Sequence, residues 1–301
     1  MATAVAPCRA LPERSSLMPV IHPGAIVDRH AELDTDVEVG AYSVIGAQVR
    51  IGAGTKIGPH VVVEGRTTIG RDNRIFQFAS IGGDPQDKKY RGEPTSLEIG
   101  DGTTIRECVT INRGTVQHRG VTRVGSDAWI MAYVHIAHDC IVGDHVIIAN
   151  STNLAGHVEI GDWVILGGAT QVHQFCKIGA HAMTGVATVV LHDIPPYVMA
   201  SGNTAAAHGI NSEGLRRRGF DAGRINAIRR AYKTLYKSGA TMQQAREALR
   251  ASIAQSIAQS AALAQGASPG AAADEGLSAE SRADLALLAD FLDGVTRGIV
   301  R

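Results

Sequence analysis

Val134-His135-Ile136-Ala137-His138-Asp139-Cys140 lies at the centre of a stretch, Val124 to Val190, in which a bulky apolar residue returns at every sixth position. The series is Val124, Ile130, Ile136, Val142, Ile148, Leu154, Ile160, Leu166, Val172, Ile178, Thr184 and Val190, with Thr184 as its one non-aliphatic member. A period of six is neither the 3.6 of a helix nor the 2 of an isolated half-buried strand. It is the signature of a parallel β-helix, in which short strands stack coil upon coil.

The same period runs upstream through Ile21, Val27, Leu33, Val39, Ile45, Ile51, Ile57, Val63, Ile69, Ile75 and Ile81, all aliphatic. Chance agreement over such a run is about one in ten million. Four residues after each inward position stands a short side chain, as in Ser43, Thr55, Thr67, Ala79, Ala128, Cys140, Thr152 and Thr170, which predicts a corner filler. Glycine commonly follows the inward position, as in Gly40, Gly58 and Gly143, where a turn has little room. Three six-residue faces give 18 residues per coil, nine or ten coils in all, rising by about 4.8 Å each. Residues 18 apart then lie above one another.

Two breaks interrupt the pattern. The polar, proline-bounded loop at 84–96 leaves after Gly83, and because Ile81 and Ile99 are 18 apart it is expected to return in register. A second break, Gly114 to Thr122, shifts the register by one before Val124. Loops inserted into a rigid solenoid are natural places for binding residues or for plain solvated decoration.

Of twelve histidines, six lie between His135 and His181. Coil arithmetic puts His138 within one residue of the column of His157 and His173, whereas His145, Trp163 and His181 form a separate stacked column. Cys140 and Cys176 fall on the inward column and read as core fillers. A histidine cluster admits a general base, with Asp139 beside His138, a three-histidine zinc site, or satisfied surface imidazoles.

Equal numbers of acidic and basic groups, 29 each, give no electrostatic argument for nucleic acid, and no apolar run is long enough for a membrane span. Four cysteines without framework spacing fit a reducing cytoplasm. Residues 1–17 lack the apolar segment of a secretory signal and read as a disordered extension, with Met18 a second candidate start. The hexapeptide scaffold is expected over 18–200 and a helical domain over 201–301. Within the latter, Asp221 to Ser238 predicts an amphipathic helix, Thr241 caps the next, 254–277 reads as a flexible Ala/Gln/Ser/Gly insertion, and Ala279 to Leu292 forms a last helix. From Arg216 to Lys237 eight basic residues oppose Asp221 alone, a concentration suited to an anionic partner.

Several ordered phrases carry a family likeness: Gln86-Asp87 with Lys89-Tyr90, Gly114-Thr115-Val116-Gln117, His135 to Cys140, Leu154-Ala155-Gly156-His157-Val158, Val172-His173-Gln174-Phe175-Cys176, and Glu213-Gly214-Leu215 with Arg217-Arg218-Gly219-Phe220. Together, over about Ile21 to Lys237, they resemble the acyl-(acyl-carrier-protein)–UDP-N-acetylglucosamine O-acyltransferases of lipid A biosynthesis. The resemblance implies a mainly β fold, a left-handed parallel β-helix followed by a small α-helical C-terminal domain. It also implies a homotrimer with sites between subunits, and transfer of an (R)-3-hydroxyacyl chain from a phosphopantetheine-linked acyl carrier protein to the glucosamine 3-hydroxyl, without metal or other cofactor.

Carried onto this chain, His138 corresponds to the general base, Asp139 to its orienting carboxylate and Gly156 to an oxyanion-stabilising N–H. Asp87, Lys89, His135, His157, His173, Gln174, Asn211, Glu213, Arg217 and Arg218 correspond to substrate contacts, the arginines suiting phosphate. Val186 replaces a common glycine at the floor of the acyl groove and predicts a shorter chain. Asn112 stands for a usual histidine and His118-Arg119 for usual glycines, neither expected to touch the base. Two rivals remain: a trimeric zinc lyase of the carbonic anhydrase type, and a purely structural solenoid.

Overall fold

The computed structural model describes residues 18–264 and 277–301. The expected extension at 1–17, and residues 265–276 of the expected insertion, lie outside them. No helix among the described residues is long and apolar enough to cross a membrane.

The chain is a left-handed parallel β-helix closed by four helices. Its strands, mostly two to four residues long, form three sheets of eleven, nine and eight strands, here A, B and C. Ile130 and Ile148 belong to A, Ile136 and Leu154 to B, Val124 and Val142 to C. Register follows the 18-residue arithmetic: Ile136 sits under Leu154, Leu154 under Val172 and Val172 under Val190. From Val39 onward the inward column is closed to solvent, with Ile111, Ile136, Leu154 and Leu166 fully buried. Each such side chain contributes about 1.5–3 kcal/mol by leaving water. The corner fillers are buried too, and their hydroxyls tie coils together: Ser43 Oγ donates to the Gly58 carbonyl at 2.7 Å and Thr55 Oγ1 to Gly70 at 2.9 Å.

The corners divide two duties between two residues. Glycine after the inward position is set by proximity: a Cβ on Gly40 would stand 2.7 Å from the Gly58 carbonyl carbon of the next coil. The left-handed turn itself falls two residues later, mostly on non-glycine residues such as Asp36, Asp72 and Asp127, with φ of 56°, 54° and 54°. Aspartate is among the few L-residues that adopt this region readily. Asp139 (φ 58°) and His157 (φ 65°) occupy the same kind of position. Two residues of the site are therefore held by the scaffold's own geometry.

The first loop does not return as expected. Ile99 pairs with Ile69, and Ile81 pairs with Ile111, so the excursion adds twelve residues to one coil before the chain re-enters on the next face. The 18-residue separation of Ile81 and Ile99 therefore does not mark a stack. Arg113 pins this loop from below: its buried guanidinium donates to the Gly82 carbonyl, to Asp84 and, at 3.0 Å, to Tyr90 Oη.

The sheet also outlasts the hexapeptide pattern. Val198–Ser201 joins sheet A and pairs antiparallel with Ala206–Ile210, so strand structure continues past the expected boundary at 200. Then follow α1 (Ser212–Arg217), α2 (Ala222–Lys237), α3 (Met242–Ala264) and α4 (Ala279–Asp293). Asp221 caps α2 by accepting from Arg224 N, and Thr241 with Gln244 forms a reciprocal capping box at α3. Helix α3 runs through 254–264, correcting the expectation of a flexible insertion there. Alanine and glutamine are strong helix formers, and α3 packs against α4 with Ala245 and Leu249 in the shared core.

Candidate functional site

His138 Nδ1 lies 3.0 Å from Asp139 Oδ2 at the corner where sheet B meets sheet C. Asp139 is wholly buried. Its Oδ2 also accepts from Thr115 N at 3.0 Å and Thr115 Oγ1 at 2.6 Å, and its Oδ1 from Arg119 N at 3.2 Å. Its own N–H donates to Thr122 Oγ1 at 2.8 Å. Burial alone would raise this carboxyl, but the bonds from His138 and Thr115 outweigh it and hold the pKa down to about 2. Asp139 is thus a fixed negative charge at neutral pH, and the carboxylate accepts from His138 Nδ1, leaving Nε2 as the outward basic nitrogen.

Gly156 closes the other side. A Cβ there would stand 2.6 Å from His138 Cε1 and 2.8 Å from Nε2, so only glycine leaves the imidazole its place. Among the described residues no acceptor takes the Gly156 N–H. A free N–H next to a basic imidazole nitrogen is the arrangement that acyl transfer through a tetrahedral oxyanion requires.

Both face an open cavity of about 430 Å³ lined by Gln86, His135, His138, Gly156, His173 and Leu191. His135 is hydrogen-bonded to Thr110 Oγ1 through Nδ1 at 2.7 Å, and its pKa is lowered by burial and by neighbouring His138. His173 Nδ1 is 3.1 Å from the Gln174 carbonyl. His157 stands just behind, edge-on to His138 with ring centroids 5.0 Å apart and stacked on Phe175 at 4.4 Å. Its pKa is lowered chiefly by burial. Asp87 and Lys89 lie on the inserted loop, where Asp87 accepts from Lys89 N, and only their neighbour Gln86 lines this cavity. The Gln174 side chain is exposed outside it. Val186, exposed, sits in the turn that leads from sheet A into the last strand of sheet B, Val189–Val190, about three coils or about 14 Å along the axis from the His138 level.

Asn211, Glu213, Arg217 and Arg218 line a different cavity, of about 660 Å³, on the face of sheet A, with Trp163 and Met183 as its floor. These four are not alike. Asn211 is buried as the cap of α1, accepting from Gly214 N and donating to the His181 carbonyl at 3.1 Å. Arg218 lies over Trp163 and contacts His181 Nδ1 at 3.2 Å, while Arg217 and Glu213 are exposed and paired at 3.1 Å. His181 is pushed down to about 4 by burial and by Arg218, so it is neutral and accepts from that guanidinium. The stacked column His145, Trp163, His181 extends to Tyr197.

Of the three histidines weighed as a zinc set, His173 does not converge with the other two among the described residues. Cys140 and Cys176 are buried and pushed up to about 12 and about 11 by burial, which makes them inert fillers. Thr115 and Arg119, which fix the carboxylate, and Thr122, which holds the Asp139 backbone, carry no role in the sequence reading. His118 and Arg119 do not touch His138, but the Arg119 N–H reaches its carboxylate and the His118 ring reaches His157.

Comparisons with known proteins agree with this architecture. Residues 193–300 match the profile described as UDP-N-acetylglucosamine O-acyltransferase, domain 2, and residues 122–156 match the bacterial transferase hexapeptide profile. An acyl-(acyl-carrier-protein)–UDP-N-acetylglucosamine O-acyltransferase of Herminiimonas arsenicoxydans is 57% identical over 94% of this chain and all of its own length. One from Thiobacillus denitrificans is 58% identical with the same coverage. The solved UDP-N-acetylglucosamine O-acyltransferase of Moraxella catarrhalis is 43% identical, covers 93% of this chain and 99% of its own, and superposes with a TM-score of 0.83.

Proposed function

The chain belongs to the acyl-(acyl-carrier-protein)–UDP-N-acetylglucosamine O-acyltransferases, and from that premise we propose that His138 is the general base of the transfer. In this reading His138 Nε2 takes the proton of the glucosamine 3-hydroxyl as the oxygen attacks the thioester of an (R)-3-hydroxyacyl carrier protein. The anion that forms on the thioester oxygen is met by the Gly156 N–H, and collapse expels the carrier's phosphopantetheine thiolate. Asp139 holds the ring and stabilises the imidazolium. The observation that carries the reading is the 3.0 Å His138–Asp139 bond beside a free N–H. The reaction needs no metal or cofactor, and the product enters lipid A biosynthesis from the cytoplasm.

The second half of the reading is a homotrimer with sites between neighbours. Its support is geometric: His138 and Gly156 open on the sheet B side, whereas Arg217 and Arg218 line a cavity on sheet A. One nucleotide sugar reaching both sets draws them from two chains, with Asp87 and Lys89 contributed by the inserted loop. Mixed assemblies of His138→Ala and Arg217→Glu chains, each inactive alone, are expected to recover part of the activity. Mixtures as inactive as the parents would refute the shared site.

Val186 stands where it can end an acyl groove running along the coil axis. Val186→Gly is expected to move the preferred acyl chain to greater length, read from product masses in a mixture of carrier thioesters. Identical length profiles would remove Val186 from this role.

Docking of the acidic carrier is narrower than the basic count suggests. Arg224 is committed to Asp284 in a bidentate pair at 2.8 and 2.9 Å, and Arg216 and Arg217 both pair with Glu213. Arg230, Lys233 and Lys237 stay exposed along one side of α2. Reversing Lys233 and Lys237 together is expected to raise KM for the carrier several-fold, more at low salt, without changing kcat. An unchanged KM would leave these charges as a solvated face.

A further inference from the structure

His118 lies on the loop that wraps Asp139, and its ring meets that of His157 edge-on at 4.8 Å. A nitrogen of each ring and a carboxylate oxygen of Asp139 all fall within 4.8 Å of one another. His157 Nδ1 is buried, lacks a hydrogen-bond partner among the described residues, and stands 3.9 Å from Asp139 Oδ2. A buried imidazole nitrogen without a partner is costly, and a metal ion is one way to satisfy it.

We propose that His118, His157 and Asp139 form a binding site for a divalent transition-metal ion, zinc above others, and that filling it inhibits the neighbouring His138. Two imidazoles, one carboxylate and a water make a complete tetrahedral zinc set. Such ligands sit about 2.0–2.2 Å from zinc and so about 3.4 Å from each other, so the widest separation must close by up to about 1.4 Å and the His157–Asp139 pair by about 0.5 Å. Exposed His118 can supply the larger movement and the His157 ring the smaller one while Asp139 stays fixed. Asp139 has the capacity: Oδ2 takes three hydrogen bonds, but Oδ1 takes only the long one from Arg119. Burial keeps His157 below its ordinary pKa, hence neutral and able to ligate. Magnesium, which demands octahedral oxygen ligands, does not fit.

Inhibition follows from charge. The ion offsets the negative charge of the carboxylate that supports His138 and adds positive charge behind His157, whose ring is 5.0 Å from that of His138. Binding stands independently of the proposed reaction, whereas inhibition rests on it.

The test is calorimetric titration of tag-free, metal-stripped protein with zinc chloride and with magnesium chloride, for wild type and His118→Ala. Wild type is expected to bind one zinc per chain and no magnesium. The variant should bind zinc at least about tenfold more weakly, since even outer-shell losses cost 10–100-fold. Its acyl transfer without zinc should equal wild type, with the inhibitory zinc concentration raised by the same factor. No zinc uptake by wild type, or equal affinity in the variant, overturns the site. Uptake that leaves acyl transfer untouched overturns the inhibitory role, and an absence of any transfer overturns the proposed reaction while the titration still decides the site.

Discussion

Gly156→Ala is expected to lower kcat by about 10²–10⁴, as much as a general base contributes, in a protein that still folds. The added methyl would stand 2.6 Å from His138 Cε1 and 3.2 Å from its Nδ1, closer than van der Waals contact allows. His138 cannot yield without breaking its 3.0 Å bond to Asp139, which is itself immobilised by Thr115 and Arg119. Nothing in the fold demands glycine here otherwise, because the corner's positive φ falls on the next residue, His157. Near-native thermal stability with collapsed turnover is therefore the expected pair of results. Full turnover in the alanine variant would mean that the imidazole has no need of its observed position.

His138→Ala should match that loss while leaving the nucleotide sugar's affinity close to native. Its side chain is 15% exposed and contributes nothing to the inward column of the β-helix, so truncation opens the cavity without emptying the core. What remains is the Gly156 N–H and whatever positions the two substrates, which accounts for residual activity above the uncatalysed rate. Single-turnover rates, with nucleotide sugar binding measured alongside, check both halves. A variant that lost affinity and kept its rate would make His138 a binding residue.

The repeat was legible because a period of six reports burial directly: every inward position from Val39 to Val190 must face the same closed column. The same arithmetic placed His138 beside His157 and ran His145, Trp163 and His181 into one stack, since coils of fixed length convert sequence spacing into height. It failed where length is not fixed. The re-entry of Ile99 over Ile69 depends on how the inserted loop folds, and Arg113 braces that loop through contacts with Gly82, Asp84 and Tyr90, 31, 29 and 23 residues upstream. Thr115 and Arg119 reach Asp139 from the second insertion for a like reason. In the helical region, composition suggested a flexible segment where α3 continues, because alanine and glutamine are as common in helices as in low-complexity linkers. The basic count overstated the docking surface because Asp284, 60 residues beyond Arg224, was not legible as its partner.

The most direct measurement is mass spectrometry of the nucleotide sugar after incubating the purified protein with 3-hydroxyacyl carrier-protein thioesters of several lengths, beside the His138→Ala protein. UDP-N-acetylglucosamine gaining one 3-hydroxyacyl group with the native chain, and almost none with the variant, is the predicted result. Equal product from both would contradict the role of His138, and none from the folded native protein would contradict the transfer itself.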